Sequence, residues 1–403
     1  IVACAIIIIV DTMLLYRHKN GIQANRILNE RLSNGDDNKI TIHFVNKYNF
    51  KIHCLVIDEL PYQLQERSWS RKLDLEPFSE QLLTYIVHPF ERGEYEFGNI
   101  NVYAEGPLKF VKRRYIFAAY QTVKVYPSYI QMRRYHIAAV ESEIKQAGVK
   151  RMRKIGHSME FEQIKDYVRG DDYRTINWKA TARRGDLMVN NFTDERSQQI
   201  YCVINKGRVM KMPFEGMTLL DYAINASLVV LNIALQKQDR AGLIAFSKTI
   251  DAFLLADKKP TQVNQIMESL YNQKTDFLEP DFEKLFSAIR NRITQRSLVV
   301  LFTNFETIES LQRELPFLKR LAHYHLLLVV FFENTELKNV IETKASTTED
   351  IYIKTIAEKY HNEKYLIAKE LQKHGILVVV TTPQKLTVNT INKYLELKQK
   401  QSI

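Results

Sequence analysis

From residue 199 onward the sequence alternates short, near-continuous Val/Ile/Leu runs with stretches of helical spacing, and this alternation leaves few ways to fold. The apolar runs fall at 199–205, 241–246, 297–302, 324–332 and 376–381, and helical patterns at 219–235, 262–271, 282–293, 308–321, 349–374 and 388–398. A strand that is apolar on both faces must be covered on both faces, and strands separated by helices pair in parallel. The expectation is a doubly wound α/β domain over residues 199–385, closed by a C-terminal helix at 386–403.

Earlier in the chain the period changes to two. Runs at 40–45, 51–58, 81–87, 93–97, 100–103 and 122–126, separated by turn residues such as Asn46-Lys47-Tyr48-Asn49, predict an all-β, sandwich-like domain over 38–127. With 403 residues, 45% of them apolar, the chain has enough material for both cores. Residues 128–198 read as a charged connecting segment.

The first ten residues are almost all aliphatic, and Met13-Leu14-Leu15-Tyr16 follows Asp11. A spanning helix needs about 20 apolar residues, so residues 1–16 read as the end of a transmembrane helix whose beginning precedes the record. A cleavable signal peptide would need a basic start and a small-residue cleavage site, and neither is visible. Arg17, His18 and Lys19 then place the rest of the chain in the bacterial cytoplasm below the inner membrane, with residues 17–37 as a juxtamembrane linker. The net charge of +11 admits nucleic acid, anionic lipid or an acidic partner. Its clusters (Lys112-Arg113-Arg114, 151–154, Arg183-Arg184) carry no aromatic-interleaved stripe, which favours the membrane and excludes nucleic acid. Cys4, Cys54 and Cys202 are widely spaced and form no C-x-x-C pair, so they read as reduced thiols.

In a doubly wound sheet, ligands bind beyond the carboxyl ends of the strands. The candidate loops there are Asn205-Lys206-Gly207-Arg208-Val209, Lys274-Thr275-Asp276 and Thr303-Asn304-Phe305-Glu306. None is a Gly-rich phosphate loop, so a nucleotide-dependent enzyme is not expected. His157, Glu160 and Glu162 read as solvated rather than metal-binding, one of His323 and His325 should face solvent, and Ser158 and Ser247 lack a base that would activate them.

The densest segment is 166–185. Asp171 and Asp172 could cap a helix over 173–184, with Arg183 and Arg184 at its negative end and Gly185 as its left-handed terminator. Arg169-Gly170-Asp171-Asp172, Arg174, Ile176-Asn177-Trp178-Lys179 and Thr181-Ala182-Arg183 together resemble the signature of domain-of-unknown-function family fifty-eight. That family is similar to von Willebrand factor A proteins and is associated with MoxR-type AAA ATPases. The resemblance implies a von Willebrand factor A-like fold for the α/β domain, and a membrane-anchored, non-enzymatic scaffold working with such an ATPase in bacterial envelope or stress physiology. Gly170, Asp171, Asp172, Arg174, Asn177, Trp178, Lys179 and Arg183 then become a partner-binding surface or an ionic brace, in which Asp172 would pair with Arg174 or Arg183.

The metal-binding kind of von Willebrand domain uses Asp-x-Ser-x-Ser, a Thr and a second Asp. Here those positions are Asn205, Gly207, Val209, Thr275 and Asn304. Both carboxylates have become amides and both serine hydroxyls are gone, so neither metal nor cofactor is expected, although Asp276, Glu306 and Asp221 could rescue a site by moving in. The alternative is a metal-dependent hydrolase using Asp171 and Asp172.

Overall fold

The computed structural model describes residues 2–66, 68–134, 159–168, 173–194, 197–275, 277–333, 340–343 and 347–400. Helix α1 (Val2–Tyr16) leads into a β-rich unit made of β1 (Ile22–Ile27), β2 (Arg31–Ser33), β3 (Asn38–Asn46), β4 (Ile52–Asp58), β5 (Ser70–Leu75), β6 (Glu80–Val87), β7 (Gly93–Phe97), β8 (Ile100–Glu105), β9 (Lys112–Phe117) and β10 (Gln121–Tyr126). These strands form three small sheets, ordered β1-β3-β6, β2-β10-β7 and β5-β4-β8-β9. They close on one core because alternate residues point inward: Ile40, Ile42 and Phe44 on β3, and Ile52, Cys54 and Val56 on β4.

Residues 17–37 are therefore not a linker, since β1 pairs antiparallel with β3 and β2 pairs parallel with β10. The period of two is present in β1 but disguised. Arg26 points inward and Ile27 is 54% exposed. Arg26 can be buried because Asp58 meets it: Nε donates to Asp58 Oδ2 at 3.1 Å and Nη2 to Oδ1, while Nη1 reaches the Ala119 carbonyl at 2.8 Å. Tyr85 donates its hydroxyl to Asp58, and both charged side chains are essentially inaccessible to water. Strands β5 and β9 also escape the sequence pattern, because the exposed Arg71, Lys72, Lys112 and Arg114 break up their apolar residues.

The hairpin β11 (Met159–Asp166) and β12 (Met188–Asp194) encloses helix α2 (Trp178–Arg184). The chain then enters the α/β domain: β13 (Gln199–Asn205), the short ribbon β14 (Pro213–Phe214) and β15 (Met217–Thr218), α3 (Leu219–Gln236), β16 (Arg240–Phe246), β17 (Ile250–Asp257), α4 (Gln262–Tyr271), α5 (Phe282–Arg292), β18 (Leu298–Phe302), α6 (Ile308–Tyr324), β19 (Leu326–Phe332), α7 (Thr348–Lys373), β20 (Leu377–Thr381) and α8 (Leu386–Gln399). The sheet order is β17-β16-β13-β18-β19-β20, parallel except for the antiparallel edge strand β17. Helices α3, α4 and α8 pack on one face and α5, α6 and α7 on the other. Strand β17, which lies in a stretch where no strand was expected, is only half-buried and lacks a continuous apolar run. Among the described residues α3 is the one helix long and apolar enough to cross a membrane, and it is mostly buried in this core.

The two units meet at Arg92. Its Nε donates to Asp221 Oδ1 at 2.9 Å, Nη1 to the Leu270 carbonyl at 2.6 Å and Nη2 to the Gln273 carbonyl at 2.8 Å. Asp221 is held a second time, by the capping box it forms with Thr218 at the start of α3. It is therefore committed to the domain interface. Around this clamp Tyr126 stacks on Tyr271 at 4.8 Å, and Asn225 accepts from the Ser128 amide at 2.9 Å.

Removing one member of a buried ion pair strands the other. Arg26→Met should lower the stability of the β-rich unit by about 3–5 kcal/mol. Combining it with Asp58→Leu should recover most of that loss. Urea unfolding followed through Trp69, which lies in this core 4.3 Å from the Tyr85 ring, reads both effects.

Candidate functional site

The chain leaves β13 toward β16 on one side and leaves β18 toward β19 on the other, so the sheet has its topological switch point between the carboxyl ends of β13 and β18. Asn205 ends β13, and Thr303 and Asn304 follow β18, so these three residues border the crevice. Asn205 is 1% exposed. Its Nδ2 donates to Thr303 Oγ1 at 2.9 Å, and its Oδ1 accepts from the Gly207 amide at 2.7 Å. A Cβ at Gly207 would lie 2.8 Å from Pro280 Cδ, so a serine could enter only if this loop shifted. Thr275 is half-buried, and Asp276 lies outside the described residues.

Asn304, at the second carboxylate position, meets a cation that belongs to the protein. Lys364 on α7 donates from Nζ to Asn304 Oδ1 at 2.6 Å and also to the Phe305 carbonyl. Burial pushes the Lys364 ammonium down to about 8, opposed by the charges of Glu306 and Glu363. This donor set does not fit a divalent cation, which needs several hard oxygens and negative charge to offset its dehydration. Here one amide presents its NH2 to the crevice, and the other amide's oxygen is occupied by an ammonium. Glu306, close in sequence, is exposed. Among the described residues no group of three or more His, Cys, Asp or Glu gathers around a common point.

A cavity of about 350 Å³ opens beside Lys364. Met212, Phe214, Leu219 and Phe332 supply its apolar wall, while Asn304, Glu333, His361 and Lys364 supply polar groups. Nothing in the sequence reading pointed to Lys364, yet a signal exists. Residues 364, 367, 368 and 371 follow the i, i+3, i+4, i+7 spacing of the stripe on which Ile367, Ala368 and Leu371 are buried. A lysine on that stripe must find partners at its tip.

The signature segment is described in part. Gly170, Asp171 and Asp172 lie outside the described residues, as does the side chain of Arg174. The expected helix over 173–184 starts later. Tyr173–Thr175 is a single 3-10 turn, Ile176 bridges Val189, and α2 begins at Trp178. Asn177 is its N-cap, accepting from the Ala180 amide at 3.0 Å and donating from Nδ2 to Asn190 Oδ1 at 2.8 Å. Gly185 ends the helix with φ +83° and a backbone bond to Thr181. Helix α2 buries none of its residues: Trp178 is 69% exposed, and Lys179 and Arg183 face solvent. The pair Arg184–Asp166, at 3.5 Å and largely exposed, contributes little to stability. Tyr173 and Val168 are also exposed on this small subdomain.

The remaining candidates are placed simply. His323 is exposed, whereas His325 is buried and its imidazole is pushed toward the neutral form by burial and by Arg290 and Arg296. Ser247 is buried in the turn after β16. His157 and Ser158 lie outside the described residues, as do the side chains of Glu160 and Glu162.

A lysine whose folded pKa is depressed holds fewer protons than its unfolded counterpart between the two values. The cost of burying Lys364 is thus present below about pH 8 and relieved as the pH climbs toward the ordinary lysine range. Wild type should therefore gain melting temperature relative to Lys364→Met across that window, and differential scanning calorimetry at stepped pH measures the gap. A gap that stays constant would show that Lys364 is not desolvated.

A 238-residue stretch is 25% identical to the uncharacterized protein YeaD of Bacillus subtilis (strain 168), covering 57% of this chain and 57% of that protein, so the chain spans just over half of this relative's length. Among solved structures, the SpRpn10 VWA domain is similar over 48% of this chain and 94% of its own length, at 9% identity and TM-score 0.32. The CARDB domain of the PF1109 protein from Pyrococcus furiosus, solved in complex with di-metal ions, is similar over 26% of this chain and 86% of its own, at 17% identity and TM-score 0.21. Residues 163–359, which run from the signature hairpin into α7, match the family described as protein of unknown function DUF58.

Proposed function

We propose that this chain is a non-enzymatic, membrane-anchored scaffold whose von Willebrand factor A-like domain binds protein partners through its loop face without a metal ion. It acts with a MoxR-type AAA ATPase in bacterial envelope or stress physiology, with its bulk in the cytoplasm below the inner membrane. The observation that carries this reading is the state of the switch point. Asn205 is bonded to Thr303, and Lys364 holds Asn304. A fixed ammonium beside an apolar cavity of about 350 Å³ suits an acidic partner side chain flanked by apolar residues. The exposed Trp178, Tyr173, Lys179 and Arg183 offer a second surface rich in the residue types that dominate interface energetics. For the anchor, α1 exposes Ile6, Ile7, Ile8, Ile9 and Val10 and is followed by Arg17 and Lys19.

The test is a binding measurement between the full chain in lipid nanodiscs and the MoxR-type ATPase of the same organism. Lys364→Met and Trp178→Ala should each weaken binding by about thirtyfold, the effect of a hot-spot residue, and Lys354→Met should leave it unchanged. Equal affinities for all three variants would remove both surfaces from the proposal. Calorimetric titration of the chain alone with Mg²⁺ or Mn²⁺ should give no stoichiometric heat. Tight binding that is lost in Asp171→Ala would instead favour a metal-dependent hydrolase.

A further inference from the structure

Helix α1 does not simply precede the β-rich unit; it is seated against the tip of the β8–β9 hairpin. Asp11, fully buried, accepts from the backbone amides of Phe110 and Val111 at 3.0 Å each. A Cβ at Gly106 would lie 2.7 Å from Asp11 Oδ1, so glycine is what lets the tip approach the helix. Below this contact the helix end is locked again. Tyr48 and Arg113 both donate to the Leu15 carbonyl, and Arg113 continues to the carbonyls of His18 at 2.8 Å and Lys19 at 2.9 Å.

These contacts fix the height of the tip along the helix. Asp11 lies six residues before Arg17, which at about 1.5 Å per residue puts it about 9 Å further toward the apolar end. The headgroup zone on each side of a bilayer is only about 5–8 Å deep. With Arg17 and Lys19 at the outer edge of that zone, the level of Asp11 is the boundary with the acyl chains. The tip bonded to Asp11 has to enter the lipid beside the helix. Its composition agrees with this position: Leu108 is 42% and Phe110 60% exposed, next to Met13 at 68% and Tyr16 at 55% on the helix, and the exposed Lys109 accompanies them. Single exposed apolar residues are ordinary on protein surfaces. Two on one hairpin tip, pinned at acyl-chain depth, are not explained by that.

We propose that the hairpin tip 106–111 is a second membrane contact, inserting Leu108 and Phe110 into the boundary of an anionic bilayer beside α1. The inference rests on the membrane-anchored reading of α1 and adds a fixed orientation to it. The two bonds from the tip both go to Asp11 Oδ2 and lower, without removing, the cost of a carboxylate at that depth, since Oδ1 has no partner among the described residues.

Spin-label depth measurements on the full chain in phosphatidylcholine/phosphatidylglycerol nanodiscs test this. Cys54 and Cys202 are buried, with the Cys54 thiol pushed up to about 12, so in a Cys4→Ala background a nitroxide goes to the introduced cysteine. Labels are placed by Phe110→Cys, by Ile8→Cys in the helix, and by Tyr62→Cys. Tyr62 is 85% exposed at the opposite end of the four-stranded sheet, beyond the pairing of Asp58 with Ile100. The ratio of oxygen to nickel-chelate collisions at 110 should match that at 8 and exceed that at 62 several-fold. A lipid-like ratio at 8 with a water-like ratio at 110 would overturn the inference while leaving the anchor intact. Water-like ratios at both would overturn the anchor and the inference with it. Protection of 110 from both reagents would mean that protein rather than lipid covers the tip, which also overturns it.

Discussion

Asp221 is the point on which the arrangement of the two units depends. Its carboxylate completes the N-cap of α3, the helix that covers one face of the sheet behind the switch point, and it also receives the guanidinium of Arg92 from the β-rich unit. Arg92 spends its remaining donors on the Leu270 and Gln273 carbonyls at the end of α4, where the helix dipole favours a positive charge. Both side chains are nearly inaccessible, so separating the units would leave two uncompensated charges. The β-rich unit and the α/β domain therefore behave as one body, and α1, locked to the former, is oriented relative to the loop face of the latter.

How much of this was legible depends on where the charges go. The parallel sheet could be read because β13, β16, β18 and β19 carry apolar side chains on both faces, and no other arrangement hides them. Strand β1 could not, because its inward arginine and outward isoleucine invert the usual sign of the pattern, and the compensating Asp58 lies far away in sequence. In the signature, Asp171 and Asp172 were natural candidates for a cap, but Asn177 sits next to the helix and its carboxamide reaches both the Ala180 amide and Asn190, which moves the start of α2 to Trp178. Local rules rank caps by residue type, whereas hairpin contacts decide which of several candidates is used.

The switch point shows the same division. That Asn205, Gly207, Val209 and Asn304 bring no carboxylate to it can be read in the sequence, and without that charge the dehydration of a divalent cation is not offset. The contact that Lys364 makes with Asn304 could not be read there. Lys364 belongs to α7, a long helix with a mixed-charge surface, and only its register with Ile367 and Leu371 separates it from the solvated lysines around it.

A lysine and a metal ion are not equivalent occupants of such a place. A bound cation comes and goes with its concentration and with the rearrangement of the loops that ligate it, whereas the lysine on α7 is covalently part of the chain and is already bonded to Asn304 and Phe305. Burial lowers the pKa of this ammonium to about 8, so it holds its proton less firmly than an exposed lysine does. An acidic partner group entering the adjacent cavity would raise that pKa and secure the proton, so on the proposed reading recognition and protonation reinforce one another. On that reading the coupling is stronger than it would be in water, because the apolar Phe214, Leu219 and Phe332 line the cavity and lower its polarity.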